Sequence, residues 1–145
     1  MEAMNPQDWI KRLGLQPHPE GGWYKETYRA SFQVTPQGEA AATDAVTSIY
    51  YLLRDEERSA WHRIAYPELW YFHDGDPLDI HEKDAAGNVT TRRLGRGEGC
   101  ELSLVVEPKT WFSADLPGKR GFALVSCAVA PGFRFEVFEM RETNK

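Results

Sequence analysis

Short runs of aromatic and β-branched residues, separated by glycine, proline, asparagine and aspartate, make up most of the chain after Trp23. Runs of this kind predict β-strands, and turn residues at such frequent intervals favour an antiparallel sandwich or barrel over alternating βαβ units. The predicted strands are WYKETYRA, AVTSIYYLL, AWHRIA, ELWYFH, LDIHEK, VTTRRL, LSLVV, TWFSA, FALVSCAVA and FRFEVFEM. The pattern therefore predicts an all-β fold, with a β-sandwich over about residues 23–140.

A different pattern precedes the strands and predicts one short helix over residues 6–13. Asn5 is a preferred N-cap residue, Pro6 suits the first helical position, and the carboxylate of Asp8 follows three residues after the cap. Gly14 ends the helix. The apolar stripe consists of Trp9, Ile10 and Leu13. We expect this stripe to pack the helix against the outside of the sandwich.

The whole chain, residues 1–145, is predicted to form a single domain. Its residues are 41% hydrophobic, 12% aromatic and 27% charged, which is the composition of a globular protein. No repeat, low-complexity tract or linker divides the sequence into two units. Residues 35–44, TPQGEAAATD, are small and polar and are predicted to form a mobile loop.

Charge and cysteine content restrict the partners and the compartment. The formal net charge is -5, and no basic cluster is longer than a pair such as residues 92–93 or 119–120, so nucleic acid is not expected as a partner. No apolar run approaches the roughly 20 residues of a membrane helix, and the first residues lack the apolar stretch of a secretory signal. Cys100 and Cys127 cannot form a disulfide framework. We expect a cytoplasmic protein without a membrane partner.

The densest cluster of ionisable and aromatic residues is WHRIAYPELWYFHDGD, residues 61–76. If His62 and Glu68 lie on adjacent antiparallel strands joined by a corner at Tyr66, their side chains point to the same face. Trp70 follows Glu68 at a spacing of two and would line that face. An apolar wall beside an ionisable pair shifts pKa values toward neutrality, so His62 and Glu68 are candidate catalytic residues.

His62, Glu68 and Gly75, in this order, resemble the first signature of the cupin superfamily, in which a His-x-His pair precedes a glutamate and then a glycine. The blocks HPEGG, ETYR, TSIYYLL, WHR, ELW, TW and APGF extend the resemblance over nearly the whole chain. Together they are similar to a small cupin subgroup of unknown function that is labelled predicted sugar epimerase. This resemblance implies a double-stranded β-helix, or jelly roll, and a homodimer.

The resemblance also implies a metal shell, but the chain departs from the usual ligands. Ile64 stands where the second histidine of His-x-His would be, and the later ligand position falls on Phe112 or Ser113. His62 and Glu68 alone are too few, because stable metal sites generally require three or more protein ligands. We therefore expect no metal or other cofactor, while weak divalent-metal binding by His62, Glu68 and waters stays open.

Further residues of the barrel wall are predicted to bind a small ligand. Glu26 and Tyr28 alternate with Tyr24 along one strand, so they would share a face suited to an oxygen-rich ligand, although a solvated outer face explains them about as well. The other predicted ligand-binding residues are Tyr50, Trp70 and Phe112. Large aromatic residues also fit a packed core. His18 and Glu20, in HPEGG, are interpreted as a structural turn in which Glu20 pairs locally.

Two classes of function fit these residues. In the first, the chain is a metal-independent epimerase acting on a sugar or nucleotide-linked sugar: His62 is the base, Glu68 orients it or acts as the acid, and Tyr28 or Tyr50 returns a proton. In the second, the barrel is a non-catalytic module that binds a small molecule, and His62 with Glu68 is a hydrogen-bonded structural pair. A weakly metal-binding, oxygenase-like enzyme is a third alternative.

Overall fold

Two facing β-sheets form the body of the protein in a computed structural model that describes residues 3–134 and 137–140. The strands are β1 (Gln16–Pro17), β2 (Trp23–Arg29), β3 (Gln33–Val34), β4 (Thr43–Asp44), β5 (Thr47–Arg54), β6 (Arg58–Ile64), β7 (Glu68–Gly75), β8 (Leu78–Lys83), β9 (Val89–Leu94), β10 (Ser103–Val106), β11 (Trp111–Asp115), β12 (Phe122–Val129) and β13 (Phe138–Met140). The first sheet has the order β1-β2-β5-β12-β7-β10, the second has the order β13-β6-β11-β8-β9, and β3 pairs with β4 alone. The predicted all-β jelly roll is confirmed.

The main core lies between the two sheets. Its side chains come from alternate positions of facing strands, as the period of two along a strand requires. They include Tyr51, Leu53, Trp70, Phe72, Leu78, Ile80, Phe112, Ala114, Val125 and Cys127. The alternation from Glu68 to Trp70 therefore identified Trp70 correctly as an inward-facing residue.

The helix α1 (Pro6–Leu13) packs on the outer face of the first sheet. Its N-terminus is a capping box, because the Asn5 side chain accepts from the Asp8 amide while the Asp8 carboxylate accepts from the Asn5 amide. Ile10 packs with Leu52 and Leu124 of the sheet. The predicted bounds and position of this helix are confirmed. No helix in the described part of the chain is both long enough and apolar enough to cross a bilayer.

Two segments differ from the sequence prediction. Thr43 and Asp44, placed in a mobile loop, instead form strand β4. The final run, predicted as one strand from Phe133, begins only at Phe138 within the described residues. Phe135 and Glu136 of that run lie outside the described residues.

The predicted hairpin between His62 and Glu68 is wrong. His62 lies on β6 of the second sheet, and Glu68 begins β7 of the first sheet. The short connection through Tyr66 crosses from one sheet to the other instead of turning within a sheet. The two side chains consequently approach the interior from opposite walls of the sandwich.

Candidate functional site

A cavity of about 160 Å³ opens between the two sheets at one end of the sandwich. Its wall combines ionisable side chains with apolar ones. The lining residues are His18, Pro19, Glu20, Tyr24, Glu26, Arg29, Thr47, Ile49, His62, Ile64, Glu68, Cys127, Val129, Phe133, Arg134 and Phe138. A dry cavity of comparable size, roughly 150 Å³, accepts a six-membered ring such as benzene. The enclosed part of this cavity is therefore suited to one small ring, and anything larger must extend through the mouth.

The HPEGG segment, between β1 and β2, brings two of these ionisable side chains into the cavity. Gly21 and Gly22 both have positive φ, at 112° and 81°. A Cβ at Gly21 would lie 1.9 Å from the Arg58 carbonyl oxygen, so only glycine allows the loop to approach β6 so closely. The Ala60 amide donates to the Glu20 carbonyl at 3.0 Å, which fastens the loop to that strand.

Glu20 is the partner of His62. The Glu20 Oε2 lies 3.4 Å from the His62 Nε2, and Oε1 accepts from the Ser59 hydroxyl at 3.0 Å. Both contacts are to residues about forty positions away in sequence, so the expected local pairing of Glu20 is wrong. The close approach of the glycines to β6 is the physical reason, because it carries Glu20 to that strand.

His62 is held in one orientation. Its Nδ1 lies 2.7 Å from the Ala60 carbonyl oxygen, which can only accept, so Nδ1 carries the proton. In the neutral ring Nε2 is then the unprotonated nitrogen, and it faces Glu20. The ring packs between Phe112 and Phe138, with centroid distances of 4.1 and 5.4 Å. His62 is 1% exposed, so its only open side is the cavity.

Glu68 brings to the opposite wall a carboxyl with one unpaired oxygen. The residue is 7% exposed, and its Oε1 has no hydrogen-bond partner among the described residues. Burial raises the pKa of Glu68 well above its usual range, and the negative charge of Glu20 raises it further, while a hydrogen bond with Cys127 opposes the shift. Burial therefore favours the protonated, neutral form of the Glu68 carboxyl. Burial likewise raises the pKa of the Cys127 thiol, with Glu68 contributing in the same direction, so this thiol is not a nucleophile.

His18 also lines the cavity. Its Nδ1 accepts from the Glu20 amide at 3.0 Å, so Nε2 carries the proton of the neutral ring. Burial lowers the pKa of His18, and although the Glu20 carboxylate opposes this shift, the neighbouring His62 adds to it. The ring packs edge-on against Tyr24, with centroids 4.5 Å apart. The wall thus holds a neutral imidazole and a phenol beside the His62–Glu20 pair.

Two arginines stand among the cavity-lining residues toward the solvent. Arg29 is paired with Glu26 at 2.8 Å and with Asp44 at 3.0 Å. Arg134 contacts Glu39 of the loop between β3 and β4 at 3.3 Å. Carboxylates near the cavity mouth therefore partly balance the positive charges of Arg29 and Arg134.

Glu26 lines the cavity, but the two predicted tyrosines do not. A bulge in β2 between Glu26 and Tyr28 shifts the register, so Tyr28 no longer shares the face of Tyr24 and is 53% exposed. Tyr50 lies on the outer face of β5 and packs with the residues under α1. Its neighbour Tyr51 is the one that enters the core.

Trp70 and Phe112 are brought into the core and not into the cavity wall. Both are 1% exposed, and their rings meet edge-on with centroids 6.1 Å apart. Phe112 pairs with His62 across β11 and β6 and supports the back of its ring. Of the predicted site residues, His62, Glu68 and Glu26 therefore share the cavity, whereas Tyr28, Tyr50, Trp70 and Phe112 lie outside its lining.

Sequence reasoning did not assign His18, Glu20 or Arg134 to the site, although all of them line the cavity. The signal for the first two was the Gly21-Gly22 pair directly after them, since consecutive glycines mark a place where the backbone approaches another element closely. Nothing in the local pattern around Arg134 distinguished it from an exposed arginine.

A family model described as "Cupin superfamily (DUF985)" matches residues 7–141. The chain belongs to the cupin superfamily. A protein from Shewanella oneidensis is 37% identical to this cupin, with a TM-score of 0.87 over 96% of this chain and 85% of that one. A hypothetical protein from Leishmania major is 33% identical, with a TM-score of 0.88 over 95% and 88% of the two chains.

A more distant likeness links this cupin to an enzyme. A dTDP sugar isomerase from Desulfovibrio desulfuricans has a TM-score of 0.60, 14% identity, and coverage of 83% of this chain and 85% of that one. At this identity the likeness shows a shared fold alone. No curated protein matches the sequence.

The cavity of this cupin does not fit the metal shell that the superfamily implies. Ile64 lines the cavity, and the Phe112 ring lies against His62. Among the described residues, one group of three or more His, Cys, Asp or Glu side chains brings its donor atoms within 4.8 Å of one another, and it is outside the cavity. That group consists of Asp79, His81 and Asp115.

Proposed function

We propose that this cupin is a metal-independent isomerase that acts on a sugar or nucleotide-linked sugar by moving a proton at the carbon next to a carbonyl group. Such a reaction requires a base for the carbon-bound proton and a donor for the carbonyl oxygen. The distant likeness to a dTDP sugar isomerase supports the choice of substrate class only through the shared fold.

His62 is the proposed base. Its proton is held at Nδ1 by the Ala60 carbonyl, so Nε2 is the nitrogen able to accept a proton. Glu20, 3.4 Å from Nε2, stabilises the imidazolium that forms. This assignment changes the partner of the base from Glu68 to Glu20.

Glu68 is the proposed acid, and its state is the observation that carries the proposal. A buried carboxyl with a raised pKa and an unpaired oxygen faces the same cavity as His62, the proposed base. A titratable group whose surroundings favour its protonated form is suited to serve as the acid of a site.

The proton balance of an epimerisation closes with these groups. The carbon-bound proton moves to His62 Nε2 while the proton of Glu68 moves to the carbonyl oxygen, which leaves an enol. The enol proton returns to Glu68, and the phenol of Tyr24 gives a proton to the opposite face of the carbon. Tyr24 then regains a proton from solvent as His62 releases one. Tyr24 replaces Tyr28 and Tyr50 in this role because it lines the cavity.

Exchange with solvent deuterium tests the reaction. The protein, treated with a chelator, is incubated in deuterated water with aldoses, ketoses and nucleotide-linked sugars, and carbon-bound deuterium is measured by NMR. We expect incorporation next to the carbonyl, abolished by His62→Asn, whose amide can keep the Ala60 hydrogen bond but offers no base. Exchange that His62→Asn leaves unchanged, or that appears only after a divalent metal is added, contradicts the proposal.

A non-catalytic binding module is the second candidate, and the burial of His62 favours it. The ring is 1% exposed and packed between two phenylalanines, as a structural histidine would be. If the role is only structural, a sugar should raise the melting temperature of wild type without any deuterium incorporation. His62→Ala should then lower the unfolding free energy by about 1–3 kcal/mol, because hydrogen-bonding groups lose their partner.

A further inference from the structure

Arg134 lies at the cavity mouth with unused hydrogen-bonding capacity. Its Nε is buried and donates to no described residue, while its Nη2 lies 3.3 Å from both Glu39 and the Tyr66 hydroxyl. Charge-assisted hydrogen bonds are typically about 2.7–2.9 Å long, so both contacts are loose. A buried N–H without a partner is costly and marks a place where a ligand or water completes the structure.

Arg29, the other arginine of the lining, provides the contrast. Its guanidinium contacts Glu26, Asp44 and the Phe133 carbonyl, at distances between 2.8 and 3.3 Å. A side chain with so many partners holds the rim together. Arg134 is therefore the lining arginine with a donor to spare.

Glu39 is a replaceable partner of Arg134. The side chains of Arg134 and Glu39 are 32% and 35% exposed, and such half-exposed pairs contribute little free energy. Glu39 keeps a second anchor when the pair opens, because the Tyr66 hydroxyl donates to its carboxylate at 2.9 Å. An incoming anion can thus take the guanidinium without leaving Glu39 unpartnered.

We propose that Arg134 is the subsite for an anionic group, a carboxylate or a phosphate, on the sugar that the cavity binds, and that Glu39 occupies this subsite in the free protein. The inference rests on the proposed function, which makes a sugar the ligand, and it adds that this sugar carries a negatively charged group. It fits the dimensions of the site, since the enclosed cavity suits one ring and a substituent on that ring would extend toward the mouth. A planar guanidinium binds either anion through paired N–H donors.

Three sugars of one ring type test the subsite by calorimetric binding: D-glucose, D-glucuronate and D-glucose 6-phosphate. We expect wild type to bind at least one anionic sugar more tightly than D-glucose, and the preferred anion identifies carboxylate or phosphate as the source. Arg134→Gln should weaken that anion about tenfold or more and leave D-glucose unchanged, because a charge-assisted hydrogen bond is lost.

Glu39→Gln should act in the opposite direction. Without the competing carboxylate the preferred anion should bind about two- to fivefold more tightly, which is the range expected for opening one exposed ion pair. Arg120→Gln and Glu56→Gln change exposed charges away from the cavity and serve as matched controls. Equal affinity for all three sugars, no detectable binding of either anion, or an anion preference that survives Arg134→Gln overturns the subsite.

These binding measurements are independent of catalysis. His62→Asn leaves the mouth unaltered, so it should keep the anion preference even if it abolishes deuterium exchange. A protein with the Arg134-dependent preference but no exchange keeps the subsite and loses the isomerase. A protein that shows deuterium exchange but no preference for an anionic sugar keeps the isomerase and loses the subsite.

Discussion

Glu68 couples the stability of the protein to pH because its carboxyl is buried without a full set of hydrogen bonds. Burial raises its pKa well above the ordinary value of 4.5. Between the ordinary pKa of the unfolded chain and the raised pKa of the folded protein, folded Glu68 holds a proton that the unfolded chain has released. The unfolded state then binds fewer protons, so the free energy of unfolding falls as pH rises through this range.

Glu68→Gln should remove this pH dependence. A neutral amide of nearly the same shape does not ionise, so the variant should gain stability relative to wild type as pH rises, by at most about 1.4 kcal/mol per pH unit for a single proton. Thermal unfolding of both proteins from about pH 5 to about pH 8 measures the difference, in which the contribution of His18 largely cancels. The exposed substitution Glu56→Gln is the control. A constant difference across that range would mean that Glu68 ionises like an exposed carboxyl.

The HPEGG loop is the element that completes the site. It is fixed by backbone contacts on both sides: the Ala60 amide donates to the Glu20 carbonyl, and the Tyr51 hydroxyl donates to the Gly21 carbonyl. Because His18 and Glu20 lie immediately before the two glycines, any movement of those glycines moves both ionisable side chains. Stability and chemistry are therefore coupled at this loop.

Gly21→Ala should lower the stability of the protein and displace the ionisable side chains of the HPEGG loop at the same time. The added Cβ would lie 1.9 Å from the Arg58 carbonyl oxygen at a φ of 112°, so clash and backbone strain together should cost about 2–5 kcal/mol. Gly87→Ala is a matched control, with a φ of 91° and nothing within 4 Å of the added Cβ, and should cost about 1–2 kcal/mol. Urea unfolding of the two variants compares them. Equal losses would show that the loop does not depend on the close approach to β6.

Most elements of the fold could be predicted from the sequence because their signals are local. The capping box, the proline and Gly14 determine the bounds of α1, and alternation with turn residues identifies β5–β9 and β12 closely. The partner of each strand is not a local property. The sequence around Tyr66 is consistent with a turn within one sheet and equally with a crossing between sheets, so the pairing of β6 with β11 could not be read from it.

The candidate site could be predicted only in part, for the same reason. Alternation along β6 and β7 correctly directed His62 and Glu68 inward, but it carries no information about which side chain meets which. The His62–Glu20 contact joins residues of different elements through a loop whose conformation depends on β6. A single bulge in β2 was enough to remove Tyr28 from the predicted face.

At the scale of the whole molecule, one cavity of the sandwich is lined by His18, Glu20, His62 and Glu68, and the main core between the sheets is apolar. Phe112 and Trp70 fill the interior behind His62, so among the described residues the cavity is closed on that side. The homodimer expected from the cupin resemblance stays a prediction.

The same distribution of side chains predicts how the molecule responds to metal. In the cavity, Ile64 and the Phe112 ring occupy the space beside His62, and no three of the described His, Cys, Asp and Glu residues of its lining bring donor atoms within 4.8 Å of one another. In the group of Asp79, His81 and Asp115 outside the cavity, both carboxylates already have ion-pair partners. Arg93 pairs with Asp79 at 2.8 Å, and Lys119 pairs with Asp115. Among the described residues, neither place therefore offers one ion three donors that lack an existing partner.

We therefore expect protein purified without added metal to contain far less than one transition-metal ion per chain by elemental analysis. Added zinc or manganese should raise the melting temperature little, because an ion that binds weakly to the native state stabilises it weakly. If metal does bind, His62→Asn and Asp115→Asn show where, because each variant removes one possible ligand from one of the two places. Near-stoichiometric metal that is lost in His62→Asn would show that the cavity rearranges around an ion, and the acid–base assignment of His62 would then be replaced by a ligand role.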